Sequence, residues 1–375
     1  MMNLSDIRHY LHQHPELSGQ EYTTHDFLAG LVEECQPSSL YTHVGGEGLV
    51  AVWGTEKSRP TLAFRADIDA LPINELTDLP YRSTQPFVAH KCGHDGHSTI
   101  LIALARKIAA NPQLYARQNV MLIFQPEEEV GTGSQKILDA GILQQYNIKA
   151  VYGLHNIPGY PEGTVILNYH TFAAASTGII YHFEGRQTHA STPEQGINPG
   201  LAVAEMIKRF AAFNAKGRSN DDFRQSTLIC VRLGDEAFGT SAGQADVMFT
   251  LRAFSNEAMG HLLHEADQAA NEIAARHHLQ LSVAQRDPFY ATENNSALVE
   301  NLERMLCDAP YRTVFALEPF RWSEDFANYQ LSYPGVMFGL GAGKDHAELH
   351  HPDYDFPDGL IDKGADLFER IINDN

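Results

Sequence analysis

Short apolar runs alternate with helix-like stretches in the first part of the chain. The runs Thr61–Arg65, Val120–Gln125 and Ala150–Leu154 are rich in β-forming residues and predict buried strands. Between them, Ser98–Ala110 and Gly133–Ala140 have the length and composition of helices. Alternation of this kind predicts a mostly parallel sheet covered by helices on both faces, which is an α/β fold.

The middle of the chain has a different order of elements. Its pattern predicts a strand, a helix, two strands, a long helix and a last strand, at Thr177–Glu184, Pro199–Ala215, Ser226–Leu233, Ala245–Phe254, Glu257–His277 and Leu279–Gln285. This β-α-β-β-α-β order is that of a ferredoxin-like domain. We therefore predict an α+β domain at 176–287, inserted into a larger α/β domain that residues 1–175 and 288–375 form. The α/β character returns with a strand at Val336–Leu340 and a closing helix at Leu360–Ile372.

Composition and charge narrow the class of protein. The chain has 375 residues, with 27 basic and 47 acidic side chains and a formal net charge of −20. Such an acidic chain repels phosphate backbones and anionic membranes, so we expect neither nucleic acid nor membrane as a partner. Four scattered cysteines do not form a disulfide framework, and the N-terminal segment lacks the apolar stretch of a secretory signal. We expect a cytoplasmic protein.

Polar residues gather where the predicted strands end, and ligands of open α/β sheets bind outside the carboxyl ends of the strands. The first strand runs into Asp67 and Asp69. The other strands lead to Glu127, Glu128 and Glu129, to His155, and to His346, His350 and His351. The segment His90–His97, which contains Cys92 and His94, directly precedes an apolar helix. We therefore expect carboxylates, imidazoles and a thiolate at one edge of one sheet.

Taken together, these residues predict a metal site. A lone histidine such as His155 is usually a hydrogen-bonded structural residue, and three successive glutamates usually form a solvated face. Here the glutamates directly follow a buried strand, where like charges are costly unless a cation neutralises them. Imidazole and thiolate suit softer divalent ions, and carboxylates suit harder ones, so the mixed set fits two divalent ions held close together. The thiolate of Cys92 has the charge and the lone pairs to bridge both ions.

A series of motifs runs along nearly the whole chain. They are Leu11–Leu17, Arg65–Pro72, Cys92–His97, Phe124–Glu129, Gly153–His155, Gly185–His189 with Pro193, Ser323–Phe326 and Leu349–Pro352. In number and order they resemble the aminoacylase/carboxypeptidase family of dinuclear metallohydrolases, in the amidohydrolase branch that includes hippurate and auxin-conjugate hydrolases. The resemblance implies a phosphorylase/hydrolase-like α/β fold of the zinc-exopeptidase type, with an inserted lid and dimerisation domain.

The resemblance also implies a ligand set for two divalent ions, which would be Mn, Zn, Co or Ni. The implied ligands are Cys92, His94, Glu129, His155 and His350, with Cys92 as the bridge. Glu128 aligns with the general base of the family, and Glu127 stands where the family often has a small residue. The family histidine of the last motif directly follows a leucine, which selects His350 over His351. Asp69 matches an aspartate that supports the metal site in relatives.

Two residues of the inserted domain are implied in catalysis and substrate binding. His189 is the candidate donor to the developing oxyanion, and relatives often bring such a histidine from the partner subunit of a homodimer or tetramer. Arg252 matches a family arginine that recognises a substrate carboxylate by a bidentate pair. Upstream of that arginine, where the family usually has an asparagine, this chain has Gly239–Ala242. We therefore expect the carboxylate end of the substrate to be held differently.

These observations predict metal-dependent hydrolysis of the amide bond of an N-acyl amino acid or a similar small amide, which releases a carboxylic acid and an amine. A di- or tripeptidase on the same scaffold is one alternative. A hydrolase with Cys92 as nucleophile and His94 or His97 as base is another, but it leaves the glutamates unexplained. The third alternative is a protein that binds metal or a small ligand without catalysis, which would have no use for the general base Glu128.

Overall fold

The computed structural model describes residues 2–216, 223–307 and 309–374. The chain divides into two compact units. The first unit comprises Met1–Phe172, Glu293–Leu317 and Asp325–Asn375, and the second comprises Ala173–Thr292 and Glu318–Glu324. The predicted insertion, 176–287, lies inside the second unit, and the short segment 318–324 joins that unit from the later part of the chain. Within the described ranges, no helix combines the length and the apolarity needed to cross a bilayer.

An eight-stranded sheet forms the centre of the first unit. Its strands are β1 (Ser39–Val44), β2 (Gly48–Trp53), β3 (Pro60–Asp67), β4 (Asn119–Gln125), β5 (Asn147–Pro158), β6 (Val165–Leu167), β16 (Thr313–Phe315) and β17 (Gly335–Gly343). Their order is β1-β2-β4-β3-β5-β17-β6-β16. The four central strands, β4, β3, β5 and β17, run parallel to their neighbours in that group. The predicted mostly parallel sheet is therefore confirmed.

Helices cover this sheet. They are α1 (Leu4–Gln13), α2 (Tyr22–Glu34), α3 (His94–Ala110), α4 (Gly133–Asp139), α7 (Ser296–Cys307), α8 (Ala327–Ser332) and α9 (Gly359–Asp374). Short 3₁₀ turns occupy Pro112–Tyr115 and Leu143–Gln145. Most of α3 is buried on all sides, which explains why its sequence is apolar almost throughout. The core joins α3 and α9 to the inward side chains of the strands, such as Phe64, Leu122 and Phe338.

The start of α3 differs from the prediction, and the difference matters for the site. The sequence predicted a helix from Ser98, whereas the helix begins at His94. Gly93, at the N-cap, has φ +97°, a left-handed conformation that favours glycine. The polar His94 and His97 therefore project from the first turns of a rigid helix rather than from a loop.

The second unit contains a five-stranded antiparallel sheet of order β10-β11-β13-β8-β14. The strands are β8 (Ala175–Glu184), β10 (Ala215–Lys216), β11 (Phe223–Leu233), β13 (Gln244–Ala253) and β14 (Gln280–Phe289), and the helices are α5 (Gly200–Ala211) and α6 (Asn256–Arg276). Without β10, the order is that of the predicted β-α-β-β-α-β plan. Alanines of α6, such as Ala266 and Ala270, pack with Phe249 and Leu251 of β13 in its core.

Two boundaries of this unit correct the prediction. The helix predicted for Pro199–Ala215 ends at Ala211, and Ala215–Lys216 form a short edge strand. The last strand was predicted to end at Gln285 and continues to Phe289. The unit also has β9 (Thr188–His189), β12 (Thr240–Ser241) and a 3₁₀ turn at Pro193–Gln195, and β7 (Thr171–Ala173) and β15 (Thr292–Glu293) lie where the chain passes between the units.

Candidate metal centre

The five ligands implied by the resemblance lie together in the first unit. Donor atoms of Cys92, His94 and His155 are all within 4.8 Å of one another, and so are those of Cys92, Glu129 and His350. Cys92 therefore belongs to both groups. The parallel register explains this convergence: Gly339 of β17 lies opposite His155 of β5, and Asp67 of β3 lies opposite Gln125 of β4, directly before the glutamates.

Backbone carbonyl oxygens orient the imidazoles of His94 and His155. The Nδ1 of His94 donates to the carbonyl oxygen of Asp69 at 2.9 Å, and the Nδ1 of His155 donates to that of Asn156 at 2.9 Å. A carbonyl accepts only, so in the neutral form of each ring the lone pair is on Nε2. Ligand histidines commonly donate their second nitrogen in this way. Within the described part of the chain, the buried Nε2 of His94 has no hydrogen-bond partner.

The separations between these donors suit shared cations. The Nε2 of His155 lies 3.5 Å from the Sγ of Cys92. The two oxygens of Glu129 lie 3.7 Å from the Nε2 of His94 and 3.7 Å from the Nε2 of His350. Ligands at bond lengths of about 2.0–2.3 Å from one tetrahedral ion are about 3.6 Å apart. Direct hydrogen bonds between Glu129 and the two imidazoles would be shorter, at about 2.7–3.2 Å.

The electrostatic field at the centre also favours cations. Burial by itself would lower the pKa of His94, but the carboxylates of Asp67, Asp69 and Glu129 outweigh burial and raise it to about 10. The field that holds a proton on this ring would equally attract a divalent ion. Burial, together with the nearby ring of His97, holds the pKa of His155 well below its ordinary value, so this ring is in the neutral form that binds metal.

Two aspartates at the end of β3 surround the centre. Asp69 accepts hydrogen bonds from the Oγ of Ser18 at 2.7 Å and the backbone N–H of Glu129 at 3.0 Å, and its carbonyl orients His94. Asp67 accepts from the Nδ1 of His97 at 2.6 Å and lies 3.5 Å from the Nε2 of His94. Asp69 therefore contacts two of the implied ligands, Glu129 through its side chain and His94 through its carbonyl oxygen. The sequence analysis gave no role to Asp67.

The three successive glutamates have three different environments. Glu127, with φ +55°, accepts from the Nζ of Lys136 at 2.6 and 2.7 Å. Glu129 faces His94 and His350. A carboxylate oxygen of Glu128 lies within 4.8 Å of donor atoms of His94 and Glu129, and the side chain is buried. Glu128 therefore lies next to His94 and Glu129.

A buried polar cluster that the sequence analysis missed supports Glu128. Asp325 accepts from the Nη2 of Arg65 at 2.9 Å, from the Nε2 of Gln125 at 2.8 Å and from the backbone N–H of Ser134 at 3.0 Å. The backbone N–H of Asp325 points to Glu128, with 3.4 Å between nitrogen and Oε1. The motifs that contain Arg65, Gln125 and Asp325 were visible in the sequence, but the contacts among them span long sequence separations.

The other two candidates, His189 and Arg252, lie in the second unit. His189 is exposed on β9 and pairs with Thr240 of β12, so it neighbours the Gly239–Ala242 loop. Its Nδ1 lies 2.7 Å from the Oγ of Ser191 and accepts from the backbone N–H of Ser191 at 3.1 Å, which leaves Nε2–H as the donor of the neutral ring.

Arg252, on β13, donates from Nη1 to the carbonyl oxygen of Arg321 at 2.8 Å and to the Oγ of Ser323 at 2.9 Å. Burial lowers the pKa of Arg252. The remaining nitrogens of its guanidinium can still act as donors, because both of these contacts use the same Nη1. The segment 318–324 therefore helps to fix this side chain within the second unit.

Comparisons with known proteins agree with this geometry. The sequence profile described as "Peptidase family M20/M25/M40" matches residues 63–374. An N-acetyldiaminopimelate deacetylase of Lacticaseibacillus paracasei is 31% identical over 94% of this chain and 92% of its own length. An N-acetylcysteine deacetylase of Bacillus subtilis is 29% identical over 98% of this chain and 95% of its own length. The solved structure of the B. subtilis YXEP protein, described as a dinuclear metal-binding peptidase of the M20 family, matches at 28% identity with a TM-score of 0.85, covering 98% of this chain and 96% of that one.

Proposed function

The chain belongs to peptidase family M20/M25/M40, and from this premise we propose that it is a metal-dependent amidohydrolase that cleaves an N-acyl amino acid. The family membership confirms the predicted resemblance and the predicted class of enzyme, a hydrolase. Both deacetylases named above act on N-acetylated amino acids, and each matches nearly the whole length of this chain. Their names support an amide with a small acyl group as the substrate.

One observation carries the proposal: a buried glutamate, Glu128, adjoins a cluster of five donors suited to two cations. A pure metal store needs the five donors but not the additional carboxylate of Glu128. Cys92, His94, Glu129, His155 and His350 would hold the ions, which would be Mn, Zn, Co or Ni, and Cys92 belongs to both donor groups. The donor separations and the carboxylate-rich field support this assignment.

The mechanism follows from the positions of the protein groups. Two divalent ions would supply the positive charge that lowers the pKa of a water molecule and polarises the amide carbonyl. Glu128 accepts a proton from the attacking water and later delivers it to the departing amine, a proton transfer typically worth ~10²–10⁴-fold. Asp69 and the carbonyl of Asn156 hold the rings of His94 and His155 in the tautomers that face the centre.

The second unit would supply the groups that select and stabilise the substrate. We propose that the Nε2–H of His189 donates to the oxyanion, and that free nitrogens of Arg252 bind the substrate carboxylate. The hydrogen bonds of Ser191 to Nδ1 support a donor at Nε2 of His189. Closure of the second unit as a lid would exclude water from the reaction.

We further propose a homodimer in the cytoplasm. Strand β11 exposes apolar side chains, among which Ile229 is 60% exposed and Leu233 is 44% exposed. A row of apolar side chains on an open sheet face is typical of a surface that another protein chain covers. Members of the family that the sequence resembles dimerise through the corresponding domain. This supports the exposed face of β11 as the contact between the two subunits.

A panel of amides tests the proposed function. Metal-free protein should be inactive and should regain hydrolysis of N-acetyl or N-benzoyl amino acids when Mn²⁺, Zn²⁺, Co²⁺ or Ni²⁺ is added. Matched dipeptides serve as the comparison, because a di- or tripeptidase would prefer them. Hydrolysis of dipeptides alone would assign the peptidase alternative. A metal-loaded protein that cleaves neither class of substrate would contradict the proposal.

A further inference from the structure

A ring of buried charged side chains encloses the segment that carries two of the ligands. The Nζ of Lys91 donates to Glu75 at 2.7 Å. The same oxygen of Glu75 lies 2.9 Å from the Nε2 of His12, and the Nδ1 of His12 lies 2.8 Å from Asp95. Lys91 and Asp95 flank Cys92-Gly93-His94 in the sequence. We call the four residues Lys91, Glu75, His12 and Asp95 the clamp, because they close a ring around this short piece of backbone.

The clamp is buried and fully connected. The side chains of Lys91, His12 and Asp95 are 0% exposed and that of Glu75 is 2% exposed. Lys91 also donates to the carbonyl oxygen of Tyr354 at 2.7 Å, and the second oxygen of Glu75 accepts from the backbone N–H of Ser83 at 2.7 Å. A buried charge is tolerated only when it is paired and hydrogen-bonded, and these contacts meet that requirement.

The charges of the clamp alternate in sign. Burial by itself would lower the pKa of His12, but the hydrogen bonds with Asp95 and Glu75 outweigh burial and raise it to about 9. The imidazolium therefore donates from both nitrogens, one to each carboxylate. A neutral ring could donate to only one of them, and one side of the ring would then place an imidazole lone pair against a carboxylate oxygen.

The clamp reaches three of the five ligands through the backbone. Cys92 and His94 lie between its two ends, and the carbonyl oxygen of Lys91 accepts from the backbone N–H of His350 at 2.8 Å. Gly93, between Cys92 and His94, has φ +97°, so this segment is a tight turn. Any shift of Lys91 or Asp95 would move the donors attached to this turn.

A contribution to stability does not by itself account for the clamp. A protein with a buried ion pair is often no more stable than one with apolar side chains of the same size at those positions. The carboxylates that surround the centre repel one another before a cation arrives, and the ligand turn must hold its shape against that repulsion. We propose that His12 and Glu75 are positioning residues that hold Cys92, His94 and His350 ready for the cations. This inference rests on the proposed function, because it requires that these residues bind metal. It also gives a role to the Leu11–Leu17 motif.

Metal affinity measures this role without any assay of hydrolysis. Metal-free wild type, His12→Gln, Glu75→Gln and the double variant are titrated with Co²⁺ alone in competition with a chromophoric chelator. Loss of a residue that orients a ligand typically costs about 10–100-fold in affinity. We expect a loss of that size in each single variant. The double variant should lose little more, because one break already opens the ring.

A matched control separates positioning from general destabilisation. Lys107→Gln removes a charge that pairs with Asp366 and Glu369, away from the clamp. We expect it to bind Co²⁺ with wild-type affinity, even where its unfolding temperature falls as far as that of His12→Gln. If a clamp variant does not fold at 25 °C, the other single variant and the titration of its folded form at lower temperature give the same comparison.

The outcomes distinguish this inference from the proposed function. Folded clamp variants with Co²⁺ affinities within twofold of the wild type would overturn the inference alone. Losses that add in the double variant, or an equal loss in Lys107→Gln, would also overturn it, because both mean that the ring does not act as a unit. A wild type that binds two ions but cleaves no amide would overturn the proposed function and leave the clamp intact. A wild type that binds no cation would overturn both.

Discussion

At the scale of the residue, three identical side chains in succession acquire three roles. Backbone direction separates them: Glu127 takes φ +55° and turns to Lys136, so Glu128 and Glu129 reach the centre. The family resemblance predicts a general base and a ligand at neighbouring positions of the run, and both side chains lie beside His94. The resemblance could not predict the ion pair of Glu127 with Lys136. Lys136 lies on α4, and the sequence of the three glutamates does not indicate that contact.

The variant Glu128→Gln tests the general base. It keeps the size of the side chain but cannot accept the proton of water, so we expect kcat to fall by at least ~10²–10⁴-fold. The metal content should stay at the wild-type value, as measured by atomic emission. Glu127→Gln is the matched control from the same run, and its kcat should stay close to that of the wild type. Turnover of Glu128→Gln at the wild-type rate would exclude this residue as the base.

The stability of the metal-free protein should depend on pH through His12. Its folded-state pKa of about 9 is raised above the ordinary 6.5, so the protonated ring stabilises the fold below pH 6.5 and loses that contribution as the pH rises through 9. The contribution is on the order of 3 kcal/mol. We therefore expect the difference in free energy of unfolding between wild type and His12→Gln to shrink by this order between pH 6 and pH 9.5.

Urea unfolding at several pH values measures this difference. Lys107→Gln is again a useful control, because its ion pairs raise the pKa of a side chain that is already charged at neutral pH. The difference between wild type and this variant should change little over the same range. A constant difference for His12→Gln would show that the ring is not a buried imidazolium.

At the scale of the element, unbroken apolar runs predicted three of the central strands, whereas β2, which is buried along its whole length, was not predicted. β3, β4 and β5 are buried along most of their length. Their unbroken apolar runs predicted strands whose ends lie within a few residues of the observed ones. β1 is partly exposed and mixed in composition, so no periodic pattern marked it. The first turn of α3 was missed because His94, Asp95 and His97 have the composition of a loop. In the structure all three residues are buried in the first turn of the helix.

The turn before α3 should tolerate no side chain at position 93. In Gly93→Ala the new Cβ would lie 2.6 Å from the Oδ1 of Asn156, in addition to the left-handed φ. The left-handed backbone costs about 1–2 kcal/mol for a residue with a Cβ, and the overpacking costs about 1–3 kcal/mol. Together they should lower the free energy of unfolding by roughly 3 kcal/mol. We also expect weaker Co²⁺ binding, because Cys92 and His94 flank this residue.

Gly141→Ala provides the comparison for that turn. Gly141 also has a positive φ, +72°, but a Cβ there would meet nothing within 4 Å among the described residues. This variant should lose only the conformational strain, about 1–2 kcal/mol, and should bind Co²⁺ as the wild type does. Thermal unfolding with and without Co²⁺ measures both effects. Equal losses in the two variants would contradict the close approach of Gly93 to Asn156.

At the scale of the whole molecule, the order of elements predicts an inserted domain. The change from β-α alternation to β-α-β-β-α-β is a property of the sequence, and the second unit begins and ends within five residues of the predicted 176–287. Segment 318–324 was beyond prediction, because it is short, lacks periodicity and joins the second unit through tertiary contacts such as those of Arg252 with Arg321 and Ser323.

The proposed dimer gives an expectation for mixed variants. If His189 serves the centre of the partner subunit, His189→Ala and Glu128→Gln are each inactive, yet a mixed dimer has one site with both residues intact. We expect activity to appear when the two variants are unfolded, mixed and refolded together. Each variant refolded alone should stay inactive. Failure to regain activity, with mixed dimers demonstrated by differential tags, would mean that His189 does not act across subunits.

The central claim is that side chains scattered over the first unit hold two cations. Anomalous diffraction from crystals grown with Mn²⁺ tests it most directly. We expect two peaks about 3.5–4 Å apart. Cys92 should lie within bonding distance of both peaks, and His94, Glu129, His155 and His350 within bonding distance of one or the other. A single peak, or peaks away from these five side chains, would contradict the account.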